Sequence, residues 1–178
     1  MAETLSWSAF EKKYQFEETV YLLTKKSIKL IADSTLKEEQ FCSFAYNCHS
    51  FYGHILLSFD TDEMNKARGY YPPDWTYVEV EEYIPEINVL WEELYSPIED
   101  EYFRIMDSID DTLLFDSYST GFLTCLRRIM VRIEREDLLA RYLKTTPSVW
   151  TLVTEVDADE EDEERLLAQE RLVISSVE

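Results

Sequence analysis

Apolar and aromatic side chains recur at helical spacing from the start of the chain, with Trp7, Phe10, Tyr14, Tyr21, Ile28 and Ile31 in one row and Phe16, Val20, Leu23 and Leu30 in the next. This periodicity predicts one long first helix ending near Asp33. Two short runs follow, Phe41 to Asn47 and Phe51 to Phe59, rich in aromatic and aliphatic residues and separated by Cys48-His49-Ser50. They predict an antiparallel hairpin. Alternation places Cys42, Phe44 and Tyr46 on one face of the first strand and Phe51, Ile55, Leu57 and Phe59 on one face of the second, so one face of the sheet is core.

Beyond the hairpin, Asp60-Thr61-Asp62-Glu63 pairs a capping side chain with Glu three residues later, which marks a helix start, and Gly69 with Pro72-Pro73 ends that helix early. Tyr77-Val78-Glu79-Val80 alternates and predicts a short strand. Pro85 suits the first turn of a helix carrying Ile87, Leu90, Trp91 and Leu94. Ser96-Pro97-Ile98-Glu99 reads as a capping box that opens another, lined by Ile98, Tyr102, Ile105 and Ile109. A further amphipathic helix is predicted from about Thr120 to Arg135, burying Phe122, Leu126, Ile129 and Ile133 and exposing Arg127, Arg128, Arg132 and Arg135. After Pro147, Ser148 to Thr154 is apolar enough for a central strand. Asp157 to Glu164 then opens a last helix, whose first turn favours carboxylates. The order predicts a helix-rich α+β fold, a single domain over residues 1–178. Its small, mainly antiparallel sheet is built from the hairpin at about 41–59 and the strand at about 148–156.

Composition sharpens this. Three Gly and five Pro in 178 residues are too few for a loop-rich sandwich or barrel, and twelve Tyr, nine Phe and four Trp are too many aromatics for a disordered acidic chain. Met1 to Leu5 lacks the cationic segment and apolar run of a secretory signal, and no run reaches the roughly 20 apolar residues that span a bilayer. A cytoplasmic protein is expected. Cys42, Cys48 and Cys125 form an odd set without CxxC spacing, which predicts buried free thiols rather than disulfides.

The net charge of −20 changes the picture most, because all of it lies in two stretches. Residues 79–116 hold thirteen carboxylates against one cation, Arg104, a balance of −12. Residues 155–164 hold eight and no cation, a balance of −8. Such surfaces repel phosphate backbones and anionic lipids, so neither nucleic acid nor a membrane is expected as a direct ligand. Segregation on this scale exceeds what solubility requires, and aromatic residues interleave the first stretch, the composition of an interface in which rings supply buried area and charges steer approach.

No catalytic signature competes with this reading. Cys42, Cys48, His49 and His54 match no zinc spacing, and Asp157 to Asp162 lacks the Gly and ligand spacing of an EF-hand loop. There is no Gly-rich phosphate loop and no GxSxG elbow, while Ser117, Ser119 and Thr120 near Gly121 read only as a helix start. No metal, cofactor or catalytic residue is assigned. The expected partner-binding residues are Glu79, Glu81, Glu82, Glu86, Glu92, Glu93, Glu99 and Asp100 with Tyr83 and Tyr95 in the first stretch, and Asp157, Asp159, Glu160 and Glu161 in the second.

Phe44-Ala45-Tyr46, then Leu57-Ser58-Phe59-Asp60-Thr61, Tyr71-Pro72-Pro73-Asp74-Trp75 and Leu152-Val153-Thr154-Glu155-Val156-Asp157 occur in that order. Over about residues 40–160 the chain thereby resembles an uncharacterised bacterial α+β family, some members of which are presumed immunity proteins of polymorphic toxin systems. The resemblance implies a bacterial or phage binding protein that neutralises a toxin. The charge independently predicts a basic protein partner. The expected function is therefore that of an acidic inhibitory protein without enzymatic activity that occludes a basic surface. The alternatives are a DNA mimic that disables a defence enzyme, and a carboxylate- or metal-dependent enzyme. Self-association, with the Arg127 to Arg135 face docked on another subunit's acidic stretch, is a further expectation.

Overall fold

The structure, a computed structural model, describes residues 5–64, 72–155 and 158–176, with Glu160 described by its backbone alone. It is a helix-rich α+β fold with seven α-helices and a three-stranded mixed sheet among these residues. The predicted first helix is two helices, α1 (Trp7–Tyr14) and α2 (Phe16–Ala32). Gln15 between them adopts a left-handed φ of 46°. The break lets Phe10 and Phe16 both bury completely, with the Trp7 ring 5.5 Å from that of Phe16. Packing of three aromatic rings outweighs the helical preference of one residue.

Strands β1 (Phe41–His49) and β2 (His54–Asp60) form the predicted hairpin, with Phe44 opposite Phe59, Tyr46 opposite Leu57 and Cys48 opposite Ile55. These six side chains share one face and belong to the main core. Phe51, predicted on the second strand, lies instead in the turn that precedes it. Strand β3 (Thr145–Glu155) corrects two expectations: it pairs parallel to β1, and it lies at the edge, leaving β1 in the centre of the order β2-β1-β3. Its register slips between Phe41 and Ser43, where Pro147 cannot donate a ladder hydrogen bond. The apolar run reads as central because helices flank it. On the opposite face of the sheet, Trp75 and Trp150 cover Ala45 and Leu152.

Between β2 and the next helix, the predicted strand is reduced to one bridge, Phe59 to Tyr77, and Val80–Glu82 is a 3-10 turn. The helix expected after Asp60 lies mostly outside the described residues; Glu63 and Met64 are helical, and Asp62, not Asp60, caps Met64 N–H. Helices α3 (Pro85–Leu94) and α4 (Ser96–Asp107) begin at their prolines as predicted. Ser96 makes no capping bond, however, because it is already the first residue of the helix, the Glu99 amide bonding the Tyr95 carbonyl, and the Glu99 side chain turns to His54.

Helix α5 spans Thr112–Arg135 and starts earlier than predicted, since Asp111 caps the amides of Leu113 and Leu114. Ser117, Ser119 and Thr120 are therefore mid-helix. Gly121 lets the Trp7 ring lie against the helix, where a Cβ would stand 2.4 Å from Trp7 Cδ1. A short α6 (Leu138–Tyr142) leads to β3, and α7 (Glu160–Ser175) packs on α5 and β3.

The arginine row of α5 is not the free cationic face that helical spacing predicts. Arg127 is buried and pairs with Glu163 of α7 at 2.9 Å, both side chains 6% exposed. Arg128 reaches Glu17 and Glu170, Arg132 reaches Glu18 and Glu136 and covers the Tyr21 ring, and Arg171 of α7 reaches back to Glu134. Residues of the second acidic stretch and of α7 thus neutralise α5 within one chain. Removing one partner of a buried ion pair strands the other charge, at about 3–5 kcal/mol. Arg127→Ala is expected to lose that much in urea unfolding, whereas the volume-matched Arg127→Met/Glu163→Leu pair is expected within about 1 kcal/mol of the parent. Equal losses in the two variants would contradict this account.

Candidate functional site

The first acidic stretch builds a cleft. The 3-10 turn carries Glu79, Glu81 and Glu82 past β2, while α3 and the start of α4 bring Glu92 and Glu99 to the opposite wall. Together with His54, Asn88, Trp91 and Tyr95 they enclose about 470 Å3. Neither Lys nor Arg lines it among the described residues. Five of the expected binding carboxylates therefore converge. Glu86 and Glu93 do not; they face a separate shallow groove beside Lys26 and Lys29 of α2.

Two features set the electrostatics of the cleft. Glu81 Oε1 accepts the Leu57 N–H at 3.2 Å, while Oε2 is enclosed without a hydrogen-bond partner. Burial pushes this carboxyl up to about 7, and Glu79 beside it acts in the same direction. Across the cleft His54 Nδ1 lies 2.9 Å from Glu99 Oε1, and that hydrogen bond raises the imidazole above its ordinary value. The cleft thus contains a carboxyl that gains from losing its charge and a carboxylate that holds a histidine proton.

Beside the cleft is the hairpin turn. Gly53 takes φ 74°, and its carbonyl accepts the Tyr95 hydroxyl at 2.5 Å. The Ser50 carbonyl accepts the Tyr102 hydroxyl at 2.6 Å, and the Ser50 amide donates to the Glu155 carboxylate at 3.0 Å. Tyr95, expected at a binding surface, is buried here and acts through the turn. The turn presents Phe51 and Tyr52 to α4 and α5. Phe51 lies 5.8 Å from Phe103 and 5.9 Å from Phe115, and Tyr52 lies 5.4 Å from Phe103. Tyr83 is exposed away from this group, its ring against Tyr77.

The second acidic stretch is engaged in structure. Asp159 caps Glu161 and Asp162 at the start of α7, Asp162 pairs with Arg165, and Glu163 is the buried partner of Arg127. Glu161 is exposed. Asp157 and the Glu160 side chain, both expected at the surface, lie outside the described residues. In the first stretch Glu101 pairs with Lys13 and Arg104 and Glu99 with His54. Its other carboxylates have no cationic partner among the described residues.

Spacing alone did not reveal His54, Phe51, Tyr52 and Phe115 as parts of this region. Two adjacent aromatics in a turn followed by Gly53 were the available signal; the His54–Glu99 pairing crosses 45 positions and leaves none. Cys42, Cys48 and Cys125 are buried free thiols. Among the described residues no three His, Cys, Asp or Glu side chains are placed to hold a metal ion, and no helix is long and apolar enough to cross a membrane. The chain has no significant match to a protein-family model, a curated protein or a solved structure.

Glu81 makes stability depend on pH. The folded carboxyl keeps its proton to about 7, whereas the unfolded one loses it near 4.5. Between those values the unfolded state binds fewer protons, so stability falls as pH rises, by about 3 kcal/mol at most at about 1.4 kcal/mol per unit. His54 acts in the same sense, since its raised value stabilises below 6.5 and that contribution is lost as pH rises through the folded value. Glu81→Gln is expected to flatten most of this decline and to exceed the parent in stability at pH 8. Urea unfolding from pH 4.5 to 8 measures both, and a parallel decline in the variant would remove Glu81 as its source.

Proposed function

We propose that this chain is an acidic binding protein of the inhibitory, immunity type, which neutralises a toxin by covering a basic protein surface. The observation that carries the reading is the unequal use of two acidic stretches. Carboxylates of the second cap α7 and pair with arginines of the same chain, whereas most of the first have no cationic partner among the described residues. Carboxylates held close together without counter-charges repel one another and destabilise the compact state. A basic partner turns that repulsion into attraction and speeds association. The family resemblance supplies the more specific part of the reading, that the partner is a toxin.

Salt provides the test, since the Debye length shrinks from about 10 Å at 0.1 M to about 3 Å at 1 M. The immobilised protein is expected to retain basic proteins from a bacterial lysate at low salt and to release them at high salt. Retention of none at low salt would overturn the reading. Co-expression with the product of the neighbouring gene tests the toxin assignment, with restored growth as the expected outcome.

A second reading, a carboxylate-dependent enzyme, is favoured by one observation: Glu81 near neutrality across an open cleft from the His54–Glu99 pair. Perturbed titratable groups in a cleft are a common mark of acid–base chemistry. This reading predicts turnover of glycoside or ester substrates that disappears in Glu81→Gln. Binding predicts none in either protein.

A further inference from the structure

The exposed aromatic rings of the hairpin turn and the acidic cleft adjoin each other on α4. Glu99, which holds His54 at the edge of the cleft, stands one helical turn before Phe103, which packs against Tyr52. We propose that these two features form one docking surface for a segment of another protein that presents arginine or lysine beside an apolar side chain. The apolar anchor lies on the rings and the cation enters the cleft. This inference rests on the binding reading and adds to it the place and chemistry of the contact.

Three observations carry it. Tyr52 is 48% and Phe103 37% exposed, and Phe51 and Phe115 in contact with them are only partly buried. Large rings left at the surface in mutual contact mark interaction sites more often than scattered apolar residues do. Second, carboxylates surround these rings. Asp100 and Asp107 flank Phe103 at helical spacing, Asp111 stands one turn before Phe115, and Glu155 meets the turn at Ser50. An aromatic centre with a charged rim is the anatomy of a binding hot spot, and this rim is mainly anionic, with Arg104 between Asp100 and Asp107 held by Glu101. Third, the cleft itself is lined by five glutamates, with no Lys or Arg among the described residues that line it. A guanidinium or ammonium group complements this charge. Arg127, Arg128 and Arg132 of a second copy are a poor source of that cation, because Glu163, Glu17, Glu170 and Glu18 engage them within their own chain.

The probe is a fluorescein-labelled peptide of arginine and leucine, titrated by anisotropy against the full chain at low salt. Tyr52→Ser/Phe103→Ser and Asp100→Asn/Asp107→Asn are each expected to weaken binding about tenfold, the size of a modest hot spot. Glu86→Gln/Glu93→Gln, in the separate groove, is expected to leave it unchanged. The two Asp→Asn changes are at exposed positions and preserve a readout if the ring variant fails to fold. Equal weakening by the groove variant, or undiminished binding by a folded ring variant, would overturn the proposal. So would a wild-type dimer in sedimentation that the ring substitutions dissolve, since it would assign the surface to a second copy. If basic proteins from the lysate bind parent and ring variant equally, the surface is wrong and the binding reading stands. If the parent retains none, the reading itself has failed.

Discussion

Everything described at the candidate site depends on how the hairpin turn at Ser50 to Gly53 is fastened. A turn at the end of a small sheet exposes backbone groups, and burying those groups without partners costs about 1–3 kcal/mol each. Here two buried tyrosines, Tyr95 from the junction of α3 and α4 and Tyr102 from within α4, donate to the two carbonyls, and Glu155 at the end of β3 accepts the Ser50 amide. Three elements distant in sequence thereby meet at four residues. The left-handed Gly53 is part of the same arrangement, because a side chain there would strain the backbone and stand 2.6 Å from the Tyr102 ring. Phe51 and Tyr52 have a defined position only because the residues on either side of them are held.

The same economy of partners explains how the protein tolerates its charge. Helix α5 carries arginines on more than one side, and their pairings join it to two neighbours, α2 through Glu17 and Glu18 and α7 through Glu163 and Glu170. Only the Arg127–Glu163 pair is deeply buried, so it alone carries a large penalty for being broken. The exposed pairs contribute little individually and mainly orient the helices. Two carboxylates of the second acidic stretch, Asp162 and Glu163, are compensated by arginine, whereas most of the first have no cationic partner among the described residues.

Much of the fold was legible because local periodicity and burial agree. The hairpin faces, the prolines that open α3 and α4, and the apolar rows of α2 and α5 follow from spacing alone. What could not be read were pairings across long distances. The strand after Pro147 is apolar in either a central or a helix-flanked edge position, and nothing local tells parallel from antiparallel. Gln15 breaks a helix for the benefit of rings on both sides of it. Glu99 satisfies a capping pattern yet bonds His54, and Arg127 sits on a face that simple alternation makes exposed. At the candidate site, charge counting points to the carboxylates that line the cleft, whereas the burial of Tyr95 and the grouping of the rings at the turn depend on contacts that spacing does not reveal.

The placement of β1 in the centre of the sheet has a consequence for how the chain is made. Its partner on one side, β2, follows within a few residues, but its partner on the other, β3, begins at Thr145, so the two are joined by about a hundred residues of intervening chain. While a ribosome is still translating that segment, β1 has one unpaired edge, the kind of edge that recruits foreign strands. Closure must await β3, and α7, which packs on β3 and whose Arg171 donates to Thr151 of that strand, is made later still. An aromatic sheet kept waiting in this way gains from a dense negative charge on the nascent chain, which keeps neighbouring copies apart until the edge is filled.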